Sequence, residues 1–207
     1  KLFGTFQEEL KEVPPVYGTK RPAGTWNPIL INFMHLWSIL QDAWRTRSWW
    51  DKARIWFMPT GWRPSDVLEK HPIPYYKTAD EQKKYDSHLS RPLTYWSWVQ
   101  LVINLVLMYY LMFEIGTLSF VEILCYGGFL MLSIFAYTTL MDRHRLSLPL
   151  EGLKFIYGLG MVYLFQGWFG LGTAGSWLIV AYLLVSLACC LYFVRKEVWS
   201  PVNRKLA

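Results

Sequence analysis

The sequence predicts an all-α membrane protein, in which cytoplasmic or interfacial helices are followed by a four-helix transmembrane bundle. Three observations predict it. More than half of the 207 residues are hydrophobic, 53%, and 18% are aromatic, well above the usage of soluble domains. The second half holds four apolar segments that approach the ~20 residues a hydrocarbon core requires. The basic residues that flank those segments fall on alternate connections, all on one side. A backbone in lipid must bond its own polar groups, so segments of this kind are helices.

From the N-terminus, Lys1–Phe6 (K-L-F-G-T-F) reads as the end of a packed element, and neither a charged leader nor an apolar signal core is present. The chain is therefore expected to be the C-terminal part of a longer protein. Pro14-Pro15 forbids a helix through the charged stretch before it, and residues 18–24 read as loop. Asn27-Pro28 is a helix start: the amide can cap free N–H groups, and proline loses nothing at the first helical position. The helix is expected over Pro28–Trp44, apolar on most faces, with a narrow polar stripe of Asn32, His35, Ser38 and Asp42. A second short helix is expected over Trp49–Met58, capped by Ser48 with Asp51 three residues on. Its mixture of tryptophans with Lys52 and Arg54 suits the headgroup level of a membrane. Pro59, Gly61 and Pro64 then mark a tight turn around Trp62.

Four regions follow from this reading: an interfacial region over 1–64, a polar linker over 65–94, four spans within 95–194, and a tail over 195–207. The linker is expected to be solvated, with one helical stretch near Asp80–His88. The spans are expected at about 95–113, 118–141, 153–169 and 177–194. The loops after the first and third spans carry no Lys or Arg, whereas Arg91, Arg143, Arg145, Arg195 and Lys196 flank the other ends. That asymmetry predicts that both ends of the chain are cytoplasmic. Tyr95, Trp96, Trp98, Trp168, Trp177 and Trp199 lie near segment ends, where aromatic belts form.

The net charge of +6 fits anionic headgroups, and no basic patch interleaved with base-stacking aromatics points to nucleic acid. Cys125, Cys189 and Cys190 fall inside apolar segments and form neither a disulfide framework nor a zinc pattern. The histidines His35, His71, His88 and His144 are scattered, without an H-x-x-H or H-E-x-x-H pair. His71, His88 and His144 fall at solvated or headgroup positions. His35 stands on an apolar helix, where a hydrogen-bonded core or interface histidine is the plain explanation. A place beside a metal ligand rather than on the metal, shared with Asn32, is the functional one. Asn104 and Gln166 are the polar residues expected inside the spans.

The Lys1–Phe6 segment, the Tyr17-Gly18 and Pro22 loop, Trp26-Asn27-Pro28, His35, Asp51-Lys52 and Pro59-x-Gly61-Trp62-x-Pro64 together resemble the C-terminal portion of the fatty acid hydroxylase/sterol desaturase superfamily. Within it they are most similar to the alkylglycerol-oxidising branch. The resemblance implies a membrane-bound non-haem di-iron oxygenase acting on an apolar lipid, ether-lipid or sterol-like, in a bacterial inner membrane or the endoplasmic reticulum. It implies iron held by histidine motifs upstream of Lys1, so that no metal ligand falls on this chain, and tetrahydrobiopterin as a possible reductant. The piece by itself is then expected to be inactive. The alternative is a non-catalytic membrane anchor or permeation module. The implied partners are membrane lipids and the apolar substrate; the oligomeric state is left open.

Overall fold

In the computed structural model, residues 23–73, 81 and 85–199 are described. The readings of Lys1–Phe6, the Tyr17-Gly18 and Pro22 loop and the tail beyond Trp199 lie outside them. Every regular element among the described residues is helical: α1 (Pro28–Arg45), α2 (Trp49–Arg54), α3 (Ser65–Lys70), α4 (Arg91–Glu114), α5 (Phe120–Met141), α6 (Ser147–Leu164) and α7 (Gly172–Phe193), with a π-turn at Val194–Val198. They divide between two compact units. One is drawn from Leu30–Tyr85, the other from Trp26–Ile29 and the chain from Asp86 onward.

In the first unit, an arginine clasp rather than an apolar core joins the C-terminal end of α1 to the turn after α2. Arg63 grips Asp42 with two parallel bonds, Nε to Oδ2 at 2.6 Å and Nη2 to Oδ1 at 2.9 Å, and both side chains are buried. Its remaining arm donates to the His71 carbonyl at 2.7 Å, closing the polypeptide around α3. Asp66, in the first turn of α3, accepts from the Arg47 amide at 2.9 Å and from the Thr46 hydroxyl at 3.0 Å. The Arg47 amide is the main reason its carboxyl is held below the ordinary 3.8.

Helix α2 starts as the sequence predicts, with the Ser48 hydroxyl accepting from the Asp51 amide, but ends at Arg54 in a turn rather than at Met58. Gly61 takes a φ of +92°, the left-handed conformation that the turn around Trp62 requires. Helix α3 was not predicted: it occupies the start of the supposed solvated linker, with Val67 buried on its inner face. No helix forms over the described residues 85–90, where helical structure was expected around Asp80–His88.

In the second unit α4 to α7 pack antiparallel in sequence order. Ser90 caps α4, and Ser119 with Glu122 forms a reciprocal capping box on α5. At 24 and 22 residues these two helices are about 36 and 33 Å long, enough to cross a bilayer. Among the described residues three helices are long and apolar enough to span: α4, α5, and α7 continued to Val198. The third segment differs from its expectation. It starts at Ser147 rather than 153, has 18 residues, and carries the charges of Glu151 and Lys154 along its length. Both charges point into the bundle, where neighbouring helices cover them.

The far end of the bundle holds the main apolar core. Trp168 is fully buried there rather than lying in an aromatic belt, as its position near a segment end had suggested. Its indole meets Tyr126 and Phe129 edge-on, with ring centroids 5.1 and 4.9 Å apart, and donates to the Tyr126 hydroxyl at 3.1 Å. That hydroxyl donates in turn to the Leu107 carbonyl at 3.0 Å, so the one polar edge of the cluster is satisfied. Tyr95, Trp98, Trp177 and Trp199, by contrast, are exposed, as belt residues are. Gly158 lets α6 approach α5 and α7: a β-carbon there would sit 2.7 Å from Leu183 and 3.0 Å from Phe129.

Candidate functional site

Two features of the membrane unit combine chemistry with geometry. The first is a polar chain sealed in its interior. Lys154 lies 2.5 Å from Glu151, one turn away on α6, and both donate to or accept from the Ser186 hydroxyl of α7, at 2.7 and 2.6 Å. Gln100 of α4 donates to the same hydroxyl at 2.7 Å and accepts from Tyr182 at 2.7 Å. The Lys154 ammonium also lies 5.2 Å from the centre of the Tyr182 ring. Glu151, Lys154, Gln100 and Ser186 are all buried, so the chain has no mouth through which a ligand would enter. Its effect is to fix the rotation of three helices relative to one another, a role well suited to polar groups in hydrocarbon.

The sequence reading singled out neither the ion pair nor Gln100. The E-x-x-K spacing over Glu151–Lys154, which puts both groups on one helical face, was the available signal. Asn104 is buried as expected and donates to the Gln100 carbonyl at 2.8 Å, which places it on the edge of this chain. Gln166 is not inside a span. It lies exposed in the α6–α7 connection with a φ of 53°, because the helix ends at Leu164.

The second feature is an open apolar groove of about 310 Å³ near the Arg91 end of α4. One wall is the α4 stripe Thr94, Ser97, Trp98 and Leu101; the other is Tyr137, Thr138 and Met141 of α5; Trp26, Pro28 and Leu89 close the end. Trp26 is pinned at two points. Its amide donates to Asp142 at 2.8 Å and its indole to Ser87 at 3.0 Å. Asn27 is buried against α5, where its amide donates to Thr139 at 3.3 Å while its oxygen caps the Ile29 amide at 3.0 Å. The helix-start signal of Asn27 thus doubles as an anchor for the groove's wall.

The residues proposed to stand beside a metal ligand, His35 and Asn32, are exposed on α1. Asp42, on the same stripe, is buried and engaged by Arg63. The stripe divides because the α2–α3 segment covers only the C-terminal end of α1. Among the described residues no three His, Cys, Asp or Glu side chains converge as metal ligands would. The described residues therefore do not fit a di-iron centre.

The sequence was compared with characterised proteins. It is distantly similar to alkylglycerol monooxygenase. The human enzyme of that name is 28% identical over 169 residues, covering 80% of this chain, and the Xenopus tropicalis enzyme is 24% identical over 155 residues, covering 74%. The chain spans about a third of the length of these relatives, 36% and 34%. No family model matches the chain, and no solved structure matches it.

Proposed function

We propose that this chain is the membrane-anchoring C-terminal part of a lipid monooxygenase acting on ether lipids of the alkylglycerol type. The single observation that carries this is the similarity to alkylglycerol monooxygenase along four fifths of the chain. The architecture is consistent with it: spanning helices hold the protein in the phase where an apolar substrate resides. In this reading the oxygenase centre, iron with tetrahydrobiopterin as reductant, is carried by residues other than those described, and sterol-desaturase-like chemistry is the neighbouring possibility within the superfamily. The chain's share is to anchor that centre and to offer the exposed aromatic face of α1, α2 and the turn after α2, with Trp37, Trp44, Trp49, Trp50 and Phe57, to a membrane boundary. The one-sided basic residues orient both ends toward the cytoplasm.

The test is turnover of an alkylglycerol by a full-length protein carrying this chain, with iron measured on the same preparation and pterin added or withheld. Pterin-dependent cleavage by an iron-containing protein is the expected result. An iron-free preparation that turns over the ether lipid overturns the iron assignment. Hydroxylation that ignores pterin moves the protein to another branch.

A further inference from the structure

We propose that the groove closed by Trp26 is a binding site for one hydrocarbon chain of an anionic glycerophospholipid, whose phosphate pairs with Arg91. Four observations carry this, and none depends on the oxygenase reading. The walls belong to α4 and α5, both long and apolar enough to span, so the groove opens on hydrocarbon rather than on water. Its size falls in the range of formed ligand sites.

Three of the four side-chain hydroxyls in its lining, all but that of Tyr137, are committed to carbonyls of their own helices. Thr94 donates to the Ser90 carbonyl at 3.0 Å, Ser97 to that of Leu93 at 2.9 Å and Thr138 to that of Ile134 at 2.6 Å. The Trp26 indole is likewise committed to Ser87. A cleft in which most polar groups are satisfied internally favours an apolar occupant, because a polar one would lose most of its hydrogen bonds to water without replacement. Arg91 selects the headgroup. It lies three residues before Thr94, on the same helical stripe and one turn beyond the groove, at the first position of α4. It is exposed and makes no ion pair or hydrogen bond among the described residues. Arg143, near the same end of the bundle, is already committed to Glu197 and the His88 carbonyl. Asp142 turns an oxygen to the Trp26 amide. A guanidinium that reaches from a span's first turn to the headgroup layer is suited to a phosphate.

The experiment uses the full chain in nanodiscs of phosphatidylcholine containing phosphatidylglycerol with a diazirine at the end of one acyl chain. After irradiation the labelled peptides are mapped. Label concentrated on Thr94–Leu101 and Tyr137–Met141, above the outward-facing Tyr109, Met112 and Phe113, is expected. Ser97→Trp should abolish the groove label and leave that on Tyr109, Met112 and Phe113. Arg91→Gln, an exposed substitution that spares the fold, should lower the preference for phosphatidylglycerol over phosphatidylcholine about fivefold, the effect of one basic residue at an anionic surface. Uniform labelling of all lipid-facing helices overturns the proposal, as does a headgroup preference indifferent to Arg91→Gln. So does a neutral alkylglycerol probe that labels the groove more strongly than the phospholipid, which would assign the groove to an uncharged ether lipid.

Discussion

The ammonium of Lys154 sits 2.5 Å from the Glu151 carboxylate, with both side chains buried inside a bundle whose outer surface is apolar. Such a pair is held by its partners rather than by its own attraction, since the desolvation of both ions offsets most of that attraction. Lys154→Met should therefore destabilise the bundle by about 3 kcal/mol or more, because it leaves the buried Glu151 carboxylate without its counter-ion. The double variant Glu151→Leu with Lys154→Met should recover most of that loss. Thermal unfolding in detergent micelles followed by helical circular dichroism checks both, and an unchanged single variant would remove the ion pair from the account.

Trp168 should be the most sensitive aromatic position. Trp168→Ala removes a fully buried indole and its bond to Tyr126, at a cost of about 3–5 kcal/mol. Substituting the exposed Trp177 to Ala should leave unfolding nearly unchanged. The same unfolding measurement distinguishes them.

Arg63→Lys should behave as a disruptive change in the first unit, because an ammonium cannot reproduce the two parallel bonds to Asp42 together with the bond to the His71 carbonyl. Increased protease cleavage near residues 59–72 is the expected readout, with Arg63→Ala at least as affected.

The Asp66 clasp gives the first unit a dependence on pH. Its folded pKa is lowered below 3.8, mainly by the Arg47 amide. The unfolded chain therefore binds the proton more readily than the folded one. The stabilisation is complete above the ordinary value and is lost as the pH falls through the lowered one. Hydrogen exchange at the Arg47 amide should accelerate over that acid interval beyond its intrinsic pH trend, and Asp66→Asn should remove the extra acceleration.

Cysteines placed at Ser119 and Thr173, with the native cysteines removed, should react with a membrane-impermeant thiol reagent added outside intact cells. Both positions are exposed, at the bundle end that lacks Lys and Arg in its connections. Protection of both until lysis would reverse the orientation.

What could be read from the sequence was what local chemistry decides. Asn27-Pro28 starts a helix at the predicted residue, and Ser48 with Asp51 starts another, because caps are satisfied within four residues. The apolar runs gave the bundle helices for a similar reason, since composition alone excludes other conformations in lipid. What escaped depends on partners distant along the chain. Asp42 and Arg63 are 21 residues apart, and Gln100 and Ser186 are 86 apart, so no window of sequence displays either pairing. Trp168 misled for the converse reason: the position near a segment end suggested a belt, but the turn through Phe169 and Gly170 folds the indole inward. The groove was legible only in its residues' apolarity, because its walls come from helices joined at their opposite ends.

The π-turn after α7 has a consequence for how the molecule is made. Glu197 in that turn receives both the Ser90 hydroxyl, which caps the first spanning helix, and Arg143 from the connection after the second. The acid that completes this end of the bundle is synthesised 107 residues after the serine it binds. Helices α4 and α5 can thus enter the membrane early, but their shared end stays open until α7 has been inserted. Closure of this end of the bundle waits for synthesis of Glu197, and a ribosome that stops short of it releases a protein whose Arg143 still lacks that carboxylate.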